Sequence, residues 1–186
     1  FGRDNGLSIN EIFCASNVND VLTRFISTGK LEPKETIPSV APSMDIQIPS
    51  SLERLIYNFE GNSSSFYDQL QNEKIAKLSE ESVVKLQNIF SSLSFNDEMI
   101  LKEIDLFYKN YGWVIDPHTA TALSSSVSFS STLPVVGVAT ASPEKFSDVI
   151  SKTIDEFRVE NTKNEEKYFV QKANSSLVEN TIKECL

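Results

Sequence analysis

The 186-residue chain is 40% apolar and 23% charged, with a formal net charge of −9. That is the balance of an ordinary globular domain able to bury a core without staples. Its charge repels a phosphate backbone and argues against a nucleic-acid partner, and no apolar run nears the ~20 residues that span a bilayer.

Two cysteines near opposite ends, Cys14 and Cys185, form no disulfide framework, and with the single histidine, His118, they give no metal-ligand spacing. No metal and no membrane partner is expected. No secretory signal opens the sequence, so the NSS triplets at Asn62 and Asn174 read as chance matches to a glycosylation pattern. A cytoplasmic or organellar location is the expectation.

INEIFCAS (9–16) reads as a short apolar strand ending at Asn17-Val18-Asn19-Asp20. A helix follows with Val21, Leu22, Phe25 and Ile26 on one face and Gly29 as its stop. LEPKETIPSVAPS, with three prolines, reads as loop. Within PSMDIQ (42–47), Asp45 has apolar neighbours and reads as a paired or capping carboxylate. Ser50 and Glu53 form a capping box for the next helix.

From Ser63 to Tyr111 the pattern reads as all helix. Ser79 caps a segment with Val83, Leu86, Phe90 and Leu93 inward, and Ser94 with Asp97 caps one with Ile100, Ile104, Phe107 and Tyr111 inward. After Gly112, WVIDPHTATAL reads as apolar run, cap and helix, and LPVVGVAT (133–140) as a buried parallel strand. Ser142-Pro143 then opens a helix with Phe146, Val149, Ile150, Ile154 and Phe157 inward. KYFVQKA reads as one more strand, and Ser176 with Glu179 caps a last helix. Strand–helix alternation around a helical middle argues for an α/β fold, with residues 1–46 and 113–186 forming the α/β part and 47–112 a helical insertion.

Locally, little reads as chemistry. No GxSxG, P-loop or GxGxxG is present. Asp116 lies two residues from His118, a spacing expected to direct it badly for orienting the imidazole. It reads instead as an N-cap, with Pro117 at N1 and His118 and Thr119 in the first turn, where a helix N-terminus also favours anions. Thr140 and Ser142 follow the expected strand, where ligands lie beyond carboxyl ends in open α/β sheets. Spacing alone favours a cap role for Ser142 and a local backbone role for Thr140. Asn17 and Asn19 stand at another strand end, read as ligand contacts or as an Asx turn.

Four stretches then stand together: ASNVNDVLTRFISTGK, APSMDIQIPSSLERLIY, YGWVIDPHTATAL and ATASPEKFSDVI. In that order they resemble segments of threonine synthase, which read approximately ATNENDILTRFLKTG, SPAMDIQVSSNFERLLF, YGYLLDPHTAVG and STAHPAKFSDAV. The end of the chain, EKYFVQKANSSLVENTIKECL, is similar to that family's C-terminal segment. The resemblance implies a fold-type-II pyridoxal-phosphate lyase, of which this chain would be the C-terminal part with an inserted helical lobe. Such an enzyme converts O-phosphohomoserine and water to threonine and phosphate.

Residue by residue, the resemblance puts Thr140 on the hydroxyl that meets the pyridine nitrogen of pyridoxal 5'-phosphate, with Ser142 a second cofactor candidate. His118, Asn17 and Asn19 become substrate-pocket candidates. Ser142 stands where the family has histidine and Ser51 where it has asparagine. The family's catalytic lysine and glycine-rich GNFG loop lie upstream, so no catalytic residue is expected on this chain, and a missing N-terminal portion is its implied partner. Rival readings are a non-catalytic remnant or interaction module of the same fold, and a related lyase acting on another phosphorylated or hydroxylated amino acid.

Overall fold

The computed structural model describes residues 2, 5–126, 134–158, 176, 177, 180 and 183. Strand β1 (Ile12–Ser16) leads into α1 (Val21–Thr28), which ends at Gly29 with a left-handed φ of 68°. A Cβ on Gly29 would lie 2.2 Å from Val83 Cγ2, so glycine is required there both by backbone conformation and by packing. Next come β2 (Lys30–Leu31), a loop containing a 3₁₀ turn at Pro42–Met44, α2 (Leu52–Glu60), α3 (Ser64–Glu73), β3 (Ala76–Lys77) and α4 (Glu80–Gln87). Strand β4 (Phe90–Ser94), α5 (Asp97–Tyr111) and α6 (Pro117–Ser126) follow; a second 3₁₀ turn (Pro143–Phe146) runs into the short α7 (Ser147–Ile150).

β1 and β4 pair in parallel, from Ile12 opposite Phe90 to Ser16 opposite Ser94. A parallel pair needs a long crossover, and here that crossover is the whole helical lobe α1–α4. Its core packs Phe25, Ile26, Leu31, Ile56, Phe66 and Leu86, with Phe25 and Phe66 edge to face at 6.2 Å. The short antiparallel pair β2–β3 staples the lobe's base. A second core lies beyond the sheet, where Ile100 and Ile104 of α5 meet Ala41, Phe95, Ala120 and Ile150.

Several expectations change. Residues 47–112, expected as a helical insertion, carry β3 and β4 among their helices, and β4 belongs to the sheet with β1. Phe90 and Leu93 therefore lie on a strand. The expected box at Ser94 and Asp97 moves because Ser94 ends β4; Asn96 caps α5 instead, its side chain accepting the Met99 N–H at 2.9 Å. Tyr111, expected inward, is exposed. The Ser50 box is also displaced: Ser51 occupies the cap of α2 without a side-chain bond, while the Pro49 carbonyl accepts the Leu52 N–H. Ser79 caps α4 as expected, accepting the Ser82 N–H.

The run from Pro134 to Thr140, expected as a buried parallel strand, is exposed throughout and pairs with no strand among the described residues. β-branched composition signals a strand only where a neighbouring strand is available to receive it. The expected long helix after Pro143 shortens to the 3₁₀ turn and α7, and four of its five expected inward residues face the second core: Ile150 and Ile154 are buried, Phe146 and Phe157 pack against it, and Val149 is only half-buried. KYFVQKA and Glu179 lie outside the described residues, while Ser176 and Leu177 are helical.

Candidate functional site

The carboxyl end of β1 opens onto a buried polar hub. Asn17 and Asn19 are fully or almost fully buried. The Asn17 Oδ1 accepts the Asn19 N–H at 2.9 Å, an Asx turn that closes the strand end. Its amide nitrogen donates to Asp45 Oδ1 at 2.6 Å and to Ser39 Oγ at 2.7 Å. Asn19 Nδ2 donates to Asp45 Oδ1 and to the Ile37 carbonyl, and its Oδ1 accepts the Ile37 N–H. Asp45 also accepts from the Ser39 N–H and hydroxyl. The hub sews the loop 37–47 over the end of β1. Asp45 is the paired carboxylate expected of it, and both asparagine amides are spent on the protein's own loop.

At the start of α6, Asp116 does more than its spacing suggested. Its Oδ1 accepts the His118 and Thr119 N–H groups, and its Oδ2 accepts the Thr119 hydroxyl, which is the expected cap. The same Oδ1 lies 2.9 Å from His118 Nδ1. The expectation that Asp116 is badly directed for the imidazole is therefore corrected: in the first helical turn the backbone folds the ring back over its own cap. Burial alone would raise the Asp116 pKa. The bonds from His118 and Thr119 outweigh it and hold the carboxyl below the usual range. With its first-turn N–H groups so engaged, this helix start does not offer them to an outside anion.

His118 is buried. Its Nε2 accepts the backbone N–H of Ser43 at 3.1 Å, and its ring packs against Phe146 with centroids 4.7 Å apart. Because Nε2 accepts, the proton sits on Nδ1, facing Asp116. Further along α6, the buried Thr121 and Ser124 return their hydroxyls to the Pro117 and Ala120 carbonyls.

Thr140 and Ser142 are exposed, on the extended stretch just ahead of the Pro143–Phe146 turn. Ser142 occupies the cap position of that turn without a side-chain bond. Through Phe146 this segment reaches His118, and through His118 it reaches Ser43. Ser39, Ser43 and Phe146 carry no local sequence signal for these roles, because each is defined by a partner far along the chain. Cys14 on β1 is partly buried, and burial pushes its thiol up to about 11, which leaves it a poor nucleophile. Among the described residues no cluster of histidine, cysteine and carboxylate forms a metal site, and no helix is long and apolar enough to cross a membrane.

No family model matches the chain. Sequence comparison finds threonine synthase of Pseudomonas aeruginosa, 32% identical over 156 residues, covering 81% of this chain and 33% of that protein. It also finds human threonine synthase-like 1, 30% identical over 178 residues, covering 91% of the chain and 24% of that protein. The pyridoxal-phosphate-bound threonine synthase of Brucella melitensis superposes with a TM-score of 0.79 at 26% identity, over 96% of this chain and 41% of that one. The yeast enzyme shares the fold with a TM-score of 0.75 over 98% of the chain. The chain thus has the architecture of part of a fold-type-II pyridoxal-phosphate enzyme, and spans about a third of the first curated relative it matches.

Proposed function

The chain belongs to the threonine synthase family, and we propose that it serves as part of a pyridoxal-phosphate lyase converting O-phosphohomoserine and water to threonine and phosphate. One observation carries the reading: the ordered similarity to threonine synthases extends over most of the chain and includes a relative whose structure holds the cofactor. When bound, the cofactor supplies an electron sink that lets phosphate leave the γ carbon and water add at the β carbon.

This chain's part is to contact and to position. Thr140 lies exposed at the end of its extended segment, with a hydroxyl suited to donate to the ring nitrogen. A neutral donor leaves that nitrogen largely unprotonated, which moderates how strongly the ring withdraws electrons. Ser142, two residues on, is the second candidate contact. Asn17, Asn19 and His118 act from behind the pocket, because their polar atoms hold the loop 37–47. The α6 start is committed to Asp116, so the proposal assigns the cofactor's phosphate, and the lysine that holds the cofactor, to a segment outside these residues.

The test joins the chain to such a segment and measures cofactor absorbance and phosphate release from O-phosphohomoserine. Binding and turnover are expected, and Thr140→Ala should weaken cofactor affinity roughly fivefold, the worth of one neutral hydrogen bond. Unchanged affinity and turnover in Thr140→Ala would remove the ring-nitrogen role. Absence of both binding and release would favour the second reading, a non-catalytic module of the same fold, which draws its support from serine at 142 and 51 where the family carries histidine and asparagine.

A further inference from the structure

Two clamps meet on one loop. Asp45 is tied to the end of β1 by Asn17 and Asn19. Two residues earlier, Ser43 gives its backbone N–H to His118 on α6. The imidazole has a third neighbour, Phe146, on the turn that follows Thr140 and Ser142. A backbone N–H can be received only by a ring nitrogen that carries no proton. The carboxylate of Asp116, 2.9 Å from Nδ1, favours the proton there and so leaves Nε2 bare.

We propose that His118 is a positioning residue: held by Asp116 as the Nδ1–H form, it fixes the Ser43 turn on one side and the Thr140-bearing segment on the other. Asp116 then has two separable duties, capping α6 and choosing the tautomer. Asparagine performs the first as well as aspartate, but its amide does not impose the same proton position. His118 thereby couples a loop at the end of β1 to a segment far along the chain, without itself touching substrate. The link to turnover rests on the lyase reading; the clamp itself does not.

His118 is the single histidine of the chain, so ¹⁵N-histidine labelling of the 186-residue protein reports this ring alone. A protonated Nδ1 and a bare Nε2 are expected, together with slow exchange of the Ser43 amide. His118→Ala should speed Ser43 exchange roughly fivefold relative to the Ile104 amide of α5, the equilibrium worth of one hydrogen bond. His118→Gln, whose amide oxygen can stand near the Nε2 position, should recover part of that protection. Asp116→Asn, which keeps the capping oxygen but loses the charge, should raise the share of rings protonated at Nε2 and speed Ser43 exchange while α6 stays helical.

A wild-type ring protonated at Nε2 would overturn the proposal. So would parallel acceleration of Ser43 and Ile104 in His118→Ala, which marks a global effect, or a Gln variant that behaves as Ala. None of these readouts needs cofactor or substrate, so their failure leaves the lyase reading intact, and an inactive enzyme leaves the clamp intact. In a cofactor-binding assembly the clamp further requires that His118→Ala shift the cofactor's absorbance and His118→Gln restore it; an unshifted spectrum would cut the link to Thr140.

Discussion

The lobe α1–α4 and the region around α5 and α6 fill their interiors by different means. In the lobe, apolar side chains from four helices and the β2–β3 pair meet one another, with Phe25, Leu31, Ile56 and Leu86 sealed from solvent. In the second region the apolar cluster sits beside a buried polar system of Asn17, Asn19, Asp116, His118 and Thr119. An apolar core resists by packing density, whereas a polar one resists by hydrogen-bond geometry that fixes one arrangement. A loop meant to be held in register needs the second kind.

Truncation measures the first kind directly. Phe25→Ala removes a fully buried ring that meets Phe66 edge to face and should cost about 3–5 kcal/mol in denaturant unfolding. A loss under about 1 kcal/mol would mean that the lobe collapses into the gap and is packed more loosely than described. On the polar side, Asp45→Ala strips the shared acceptor from Asn17, Asn19 and Ser39. Leaving buried donors unpaired costs about 1–3 kcal/mol each. Asp45→Asn, which keeps one acceptor oxygen, should cost clearly less, and equal losses in the two variants would show that the hub is a packing element after all.

Gly29 tests the lobe's packing and its backbone together. Gly29→Ala must accept a left-handed backbone, about 1–2 kcal/mol, and a Cβ pressed 2.2 Å from Val83 Cγ2. The double variant with Val83→Ala relieves the contact and keeps the backbone cost. Partial rescue is therefore expected in thermal melts, and full rescue would place the whole requirement on packing.

The same contrast explains what the sequence could disclose. Periodicity named Val21, Phe25, Ile26, Ile100 and Ile104 as interior, because an amphipathic helix writes its buried face at 3.6-residue spacing. Gly29 as a helix stop, Ser79 as a cap and Asp116–Pro117 as a helix start were equally legible, since each depends on residues within one turn. β4 was not, because FSSLS carries little strand signal until β1 is laid beside it. The valine run at 135–138 failed the opposite way, looking like a strand where no neighbouring strand receives it among the described residues. Of the site, Asp45 was readable as a paired carboxylate, but the Ser43–His118 bond joins residues 75 apart and leaves no local trace.

Acid titration tests the polar side more gently. The hydrogen bonds from His118 and Thr119 lower the Asp116 pKa in the folded protein despite burial. The unfolded chain therefore binds more protons across the acid range, and this carboxyl's contribution to stability is fully present above the ordinary aspartate pKa. It is lost as pH falls through the folded value. Asp116→Asn should flatten the acid limb of a stability–pH curve by lowering its neutral plateau, where the carboxylate's contribution is present, while the acid end stays little changed because asparagine still caps α6. An unchanged acid limb would assign that slope to other carboxyls.

The smallest effect is expected where the apolar surface faces solvent. Val136 is 83% exposed, with Val135 and Val138 also exposed beside it. Within the 186-residue chain, Val136→Lys removes no packing and should change stability by no more than about 0.5 kcal/mol in either direction. A run of exposed β-branched residues is also a ready edge for another strand, so the same substitution should suppress association seen by light scattering at high concentration. If the chain works as part of a longer lyase whose sheet receives this run, Val136→Lys in that context buries a charge and becomes one of the costliest changes. A substitution neutral in one context and severe in the other would identify 134–140 as a strand awaiting its neighbour; neutrality in both would leave it a surface arm that only carries Thr140.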